Sequence, residues 1–263
     1  MTAARVPEIA GVPPDRRRAI VVGASSGIGA ATVRQLAREG YAVAALARRE
    51  EHLTSLAAEV ADEAAAAGGR VVTRAHDVSR PDDVPALFEE LVRELGGLDL
   101  LVYAAGIMPS VEADQYDTEL DRAMIEVNLV GLVAWTNPTA TLFQTQRDGT
   151  IVGISSIAGD RGRKKAPVYG TTKAAMDHYL ESLRNRLAGR GVHVCTIKPG
   201  FVATAMTEGL EGLFWVVTPE EVARQSLLAA RNRVTVRYVP LRWQAVGLAI
   251  RSIPSFLFRH LNV

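Results

Sequence analysis

The run Ala19-Ile20-Val21-Val22-Gly23-Ala24-Ser25-Ser26-Gly27-Ile28-Gly29 decides how this chain folds. Its apolar half predicts a buried strand over 19–25, and the segment 27–39 that follows has helical period. The glycines therefore occupy a strand-to-helix turn. Glycines there permit a tight turn, admit a pyrophosphate close to the backbone and let the helix pack against the sheet. The helix start then offers unpaired N–H groups and positive dipole charge to phosphates. On this reading Gly23, Ser25, Ser26, Gly27, Ile28 and Gly29 hold a nucleotide; the alternative is a small-residue packing turn.

Outward from this turn, continuous apolar runs at 41–47, 70–76, 98–105, 149–156 and 192–199 predict further strands. Amphipathic segments at 50–67, 82–95, 118–146 and 167–189 predict the helices between them. Strand–helix alternation with short connections implies right-handed crossovers and an α/β, doubly wound parallel sheet flanked by helices on both faces. A single domain over 18–240 is expected, between a flexible N-terminal tail at 1–17 and an amphipathic C-terminal appendage at 241–263.

Composition narrows the function. The 263 residues are 48% hydrophobic and 22% charged, which excludes a disordered or collagen-like chain. Thirty Lys+Arg against 29 Asp+Glu leave a net charge of +1, no excess with which to neutralise a nucleic-acid backbone. One cysteine, Cys195, fits a reducing cytoplasm, and it lies in a strand where it reads as a small hydrophobe. The first residues carry prolines and charges where a signal peptide needs an apolar stretch, so a cytoplasmic location is expected. The five histidines show no metal-binding spacing, and no metal is expected.

Two segments carry chemistry. The second strand ends in Ala47-Arg48-Arg49. An acid about 20 residues beyond the glycines would bind a ribose 2′-hydroxyl, but Ala47 stands there instead. Arg48 is placed to meet a 2′-phosphate with Arg49 stacking or assisting, which favours NADP(H); an exposed basic pair capping the next helix is the alternative. Tyr169 and Lys173 lie four apart on the helix 167–189 and share a face. A nearby ammonium favours the phenolate, so Tyr169 can serve as general acid or base toward an alkoxide. Ser156 ends a strand thirteen residues before Tyr169, where its hydroxyl can polarise a carbonyl. No GxSxG elbow surrounds it, which argues against a hydrolase nucleophile.

These motifs, with the GxxxGxG spacing of the first turn, resemble the short-chain dehydrogenase/reductase family over about 19–240. The resemblance implies a Rossmann-type fold. It also implies a tetrad of Asn128, Ser156, Tyr169 and Lys173, with Lys173 binding the nicotinamide ribose and Asn128 holding a water that links the lysine to solvent. It assigns adenine contacts to Asp77 and Val78, and places Pro199, Gly200, Val202 and Thr204 in a PGxVxT segment whose threonine binds the carboxamide. Tyr103-Ala104-Ala105-Gly106 stands where the family has Asn-Asn-Ala-Gly, keeping Ala105 and Gly106. A homodimer or homotetramer through helices 118–146 and 167–189 is also implied.

The resemblance implies a small carbonyl or alcohol substrate, and two further segments bear on its character. Between Ser156 and Tyr169, Arg161, Arg163, Lys164 and Lys165 form a basic loop that reads either as a phosphate site or as solvated surface. In 241–261, Trp243, Val246, Ile250, Ile253, Leu257 and Leu261 recur at helical spacing beside Arg242, Arg251 and Arg259, and Pro254 should split the stripe into two helices. The stripe fits a membrane surface or lipid tail, and equally the domain's own core or a subunit contact. These features resemble a branch that includes decaprenylphosphoryl-keto-ribose reductase, which implies a keto-sugar on a polyprenyl phosphate. An idle cofactor-binding redox sensor or scaffold is the rival from another class.

Overall fold

The computed structural model describes residues 17–112 and 114–261; apart from Arg17, the expected N-terminal tail lies outside the described residues. Seven strands form one parallel sheet: β1 (Arg18–Val22), β2 (Ala42–Ala47), β3 (Arg70–Ala75), β4 (Leu100–Tyr103), β5 (Thr150–Ile154), β6 (His193–Pro199) and β7 (Val236–Val239). Their order is β3-β2-β1-β4-β5-β6-β7. Strand β2 is buried throughout and β1 beyond Arg18, which is why their sequences are continuous apolar runs. Cys195 sits within β6, buried, and burial pushes its thiol up to about 12.

Helices cover both faces. On one, α1 (Gly27–Arg38), α2 (Glu50–Ala66) and α7 (Pro219–Arg231) pack Leu36, Leu53 and Leu227 against Val21, Val43 and Val152. On the other, α3 (Val84–Leu95), α5 (Gly131–Gln146) and α6 (Pro167–Arg186) pack Leu91, Trp135 and Leu180 against Ile20, Leu101 and Ile151. Burying either layer contributes roughly 1.5–3 kcal/mol per large apolar side chain.

Three elements differ from the sequence expectation. The segment 118–146 is not one regular helix: α4 (Thr118–Ile125) runs into a π turn at Glu126–Val130 before α5 begins. Strand β7 and helix α7 were not foreseen. The strand is four residues long, begins exposed and contains Arg237, so it carries no apolar run. Helix α7 is signalled locally, by Thr218 accepting from Glu221 N (3.2 Å) and by Pro219 in the first turn.

The C-terminal stripe divides at Pro254 into α8 (Trp243–Ser252) and α9 (Ser255–Phe258). It is not a detached appendage: Trp243 is buried against Ile157 and Tyr238. Among the described residues no helix is long and apolar enough to cross a membrane.

The strand order reverses between β1 and β4, which opens a crevice beyond their C-terminal ends. Gly23 holds a left-handed φ of 90° there, and a Cβ on it would strike the backbone of Ala105. A Cβ on Gly29 would run into the carbonyl of Gly23, so only glycine lets α1 start this close to β1. Gly29→Ala is expected to cost about 1–3 kcal/mol through overpacking of backbone that has no slack. Thermal melts should show a Tm lower by several degrees; an unchanged Tm would mean that the turn relaxes freely.

Candidate active site

A cavity of about 880 Å³ opens at the C-terminal ends of β1, β4, β5 and β6. Gly23, Ser25, Ser26, Gly27 and Ile28 line one end of it, Ser156, Tyr169 and Lys173 another part of the wall. Ala105 and Gly106 line it from the end of β4, and Val78 from the loop after β3. Pro199, Gly200, Val202 and Thr204 enter from the end of β6, with the Thr204 methyl facing Gly27. Three sequence-selected residues do not line the cavity: Gly29, Asp77 and Asn128.

Each of these three is occupied elsewhere. Gly29 serves packing. The Asp77 carboxylate accepts from Ser79 N (3.0 Å) and Oγ (2.8 Å); although burial opposes its charge, these bonds hold it below its ordinary range. Only Val78 of that pair faces the cavity. Asn128 lies in the π turn, where Oδ1 accepts from Ile107 N (2.8 Å) and Nδ2 donates to Ile107 O (3.0 Å) and Thr172 Oγ1 (3.0 Å). It thereby fastens the loop after β4 to α6. Tyr103, in place of an asparagine, donates its buried hydroxyl to Val127 O in the same π turn (2.5 Å). A π turn widens the helix by one residue and commonly marks a functional position.

The arginine pair divides its work. Arg49 Nη2 donates to Ser25 Oγ (3.1 Å) and Ser26 Oγ (3.2 Å), closing the glycine turn with a cation and two hydroxyls. Arg48 stands beside Asp77, whose carboxylate feels its charge, and also lines the cavity.

At the reacting wall the electrostatics differ from the sequence expectation. Lys173 Nζ donates to Ile154 O (3.0 Å) and approaches Met176 Sδ (3.4 Å), lying 5.7 Å from the Tyr169 ring centroid. Complete burial brings its amine down to about 8. The Tyr169 phenol is raised, not lowered: burial dominates, opposed by the Ser156 hydroxyl and the Arg163 guanidinium. Lys173, bonded to Ile154 O, does not offset this rise. The cation acting on the phenol here is Arg163, because the ammonium is turned toward the strand end.

Beneath this wall lies a buried ionic group. Lys198, next to Pro199, is bound to Asp160 and donates to Asp177 Oδ2 (2.7 Å), while Tyr238 donates to Asp160 Oδ2 (2.9 Å). Burial opposes the Lys198 charge, yet the two carboxylates hold the ammonium above its ordinary range. Ser155 Oγ donates to Lys173 O (3.2 Å), adding a tie from β5 to α6.

The basic loop does not act as a unit. Arg161 donates to Arg251 O (3.2 Å) and Ser255 Oγ (3.1 Å) and lies 4.7 Å over the Phe258 ring, so it secures α8 and α9. Arg163 and Lys165 line the cavity. Of the C-terminal stripe, Trp243, Val246 and Ile250 face the cavity, whereas Leu257 and Leu261 are exposed. Met206, Leu210 and Phe214 complete an apolar wall that the sequence reading missed. No motif marks them; an apolar-rich loop after PGxVxT is their sole signal. His76 also lines the cavity, its Nε2 accepting from Trp135 Nε1 (3.3 Å).

Comparison with known proteins shows the family to which a chain with this fold belongs. The family model described as short chain dehydrogenase matches residues 17–212. An uncharacterized oxidoreductase of Staphylococcus saprophyticus is 34% identical over 84% of this chain and 97% of its own. Carbonyl reductase family member 4 of Xenopus tropicalis is 34% identical over 79% of this chain and 88% of its own. A solved short-chain type dehydrogenase/reductase from Mycobacterium ulcerans shares the fold, with a TM-score of 0.79 at 23% identity over 93% of this chain and 98% of that one. The chain belongs to the short-chain dehydrogenase family, whose members are oxidoreductases that use nicotinamide cofactors.

The Lys173 environment has a thermodynamic consequence. Its folded value of about 8 lies below the ordinary 10.5, so the unfolded chain binds this proton more tightly. Below pH 8 the buried ammonium is a constant penalty, and the penalty is relieved as pH rises from 8 to 10.5. Lys173→Met should therefore raise Tm at pH 7, with the gain shrinking toward pH 10. Melts across that range would refute the burial penalty if the variant were no more stable at pH 7.

Proposed function

We propose that this protein is an NADP(H)-dependent oxidoreductase that interconverts a ketone and a secondary alcohol. The observation that carries the reading is one cavity walled at one end by the glycine turn and elsewhere by Ser156, Tyr169 and Lys173.

The residues fit a dinucleotide. Gly23 and Gly27 hold left-handed φ values of 90° and 53°, and Ser25, Ser26 and Arg49 bring hydroxyls and a cation to the same turn. Ala47 leaves no acid to repel a 2′-phosphate, and Arg48 and Arg49 stand beside it. The two serine contacts make Arg49 at least the equal of Arg48 as the phosphate-reading residue. Thr204 lies over Gly27, and Gly106 faces both Asn128 Oδ1 and Lys173 Nζ, so the nicotinamide end belongs near β4 and β6. When bound, the cofactor supplies or accepts hydride.

The chain's own residues do the rest. Ser156 holds the substrate oxygen by donating its hydroxyl hydrogen. Its Oγ accepts from Ala158 N (3.1 Å), which fixes the hydroxyl and leaves that hydrogen free. Tyr169 gives its phenolic proton to the oxygen as it gains charge, and takes it back in the reverse direction. Lys173 keeps a donor beyond its bond to Ile154 O and binds the ribose. Because burial raises the isolated phenol, a positively charged oxidised cofactor beside it is the addition that makes Tyr169 a competent base. Asn128 positions the Ile107 loop and α6 rather than touching substrate.

A keto-sugar on a polyprenyl phosphate is a second reading, favoured by the apolar wall of Leu210, Phe214, Val246 and Ile250. Assembly through α4, α5 and α6 belongs to the same proposal, since Ile125 and Val130 are exposed there.

Tyr169→Phe should lower turnover by about 10²–10⁴-fold while NADPH binding persists. The assay is NADPH absorbance against a ketone panel that includes anionic and lipid-linked sugars. Full activity in the variant defeats the mechanism, and a wild type that binds NADPH yet oxidises none of it with any ketone favours the idle scaffold. Arg48→Ala and Arg49→Ala should each reduce the NADPH-to-NADH affinity ratio, by about tenfold for the residue that meets the 2′-phosphate. Fluorescence titration measures the ratio; if neither variant changes it, NADP selectivity does not lie in this pair.

A further inference from the structure

Arg163 lines the catalytic cavity beside Tyr169, half-buried. Burial lowers its guanidinium, and the Tyr169 phenol is the one group that opposes the shift. Among the described residues it has no hydrogen bond and no ion pair. Its neighbours in the loop differ: Arg161 is bound to α8 and α9, and Lys164 is exposed and does not line the cavity. Two features bring Arg163 inward. Ala166 holds a left-handed φ of 53°, a costly conformation for a residue with a Cβ, and Pro167 then begins α6. The loop is thereby folded back toward the helix that carries Tyr169.

A half-buried guanidinium without a counter-ion on a cavity wall offers a planar fork of donors that matches a carboxylate or phosphate. Elsewhere in the cavity, Met206, Leu210, Phe214, Val246 and Ile250 present an apolar surface. Phe214 is itself held by Trp243 at 5.0 Å between ring centroids, and by Phe201 at 5.6 Å. We propose that Arg163 is a specificity residue that holds an anionic group, a carboxylate or phosphate, of a carbonyl substrate whose apolar remainder lies against this wall. The inference rests on the oxidoreductase reading above and gives that site its substrate class: anionic amphiphiles. Lys165, on the same rim, adds charge without the fork.

The test is binding, so it does not require the natural substrate. Full-length protein saturated with NADPH is titrated with decyl phosphate, decanoate and decanol below their micellar concentrations, followed by calorimetry or the fluorescence of Trp243. Wild type should bind at least one anion about tenfold or more tightly than decanol. Arg163→Met should lose most of that preference while keeping its affinity for decanol, and Arg163→Lys should keep part of it. A preference for decyl phosphate over decanoate assigns the group as phosphate, and the reverse as carboxylate. Equal affinity for all three compounds, or a preference surviving in Arg163→Met, overturns the proposal. NADPH affinity, measured in parallel, tests the reading underneath and should be unchanged in both variants; its absence from wild type would defeat that reading, whatever the anions do.

Discussion

One ammonium group joins the parts of this site that the chain supplies separately. Lys198 is the penultimate residue of β6, Asp160 closes the turn that begins at Ser156, Asp177 lies one helical turn beyond Lys173, and Tyr238 is on β7. Their mutual ion pairing is buried, where removal of one partner typically costs 3–5 kcal/mol because a charge is left without compensation. Such a group adds little to stability compared with an apolar core, but it allows few alternative arrangements. The serine turn, the tyrosine helix and the Pro199-Gly200 loop are therefore fixed relative to one another by a single cation. The same group reaches the C-terminus: a Cβ on Gly247 would meet the Asp160 carboxylate, so α8 sits directly on it.

The tyrosine helix carries two polar groups of the cavity wall out of bulk solvent. Tyr169 and Lys173 are both buried, and each is pushed toward its neutral form. A neutral phenol is the correct form for giving a proton. The opposing influence of Ser156 and Arg163 keeps the phenol from rising further, so two neighbours on the cavity wall moderate the effect of burial. The π turn contributes rigidity: through Asn128 and Val127 it ties the end of β4 to α6 by four hydrogen bonds within 3.0 Å.

Most of the fold was legible because strands buried inside a parallel sheet carry short continuous apolar runs, as β1, β2, β4 and β5 do. Strand β7 was not, since an edge strand exposed at its start does not need that pattern. The glycine turn was legible through sterics, as Gly23 and Gly29 occupy places where no side chain fits. Tyr169, Lys173 and Ser156 were legible through spacing. What spacing does not carry is direction. Nothing in the sequence says that Arg161 turns outward to α9 while Arg163 turns inward, or that the Asp77 carboxylate closes on Ser79. Nor does helical period show which face of 243–250 meets the cavity, because that depends on the position of β7, whose Tyr238 receives Trp243.

Cys195 lies between Val194 and Thr196 at the centre of β6, paired on one side with β5 and flanked on the other by β7. Its thiol is buried and held almost entirely protonated at neutral pH. The thiol faces the helix layer that holds Leu36 and Leu227, so an alkylating reagent meets a reactive sulfur only when those helices lift from the sheet or the sheet itself opens. The rate of modification in native buffer thus counts those excursions, giving the molecule an internal chronometer of its opening.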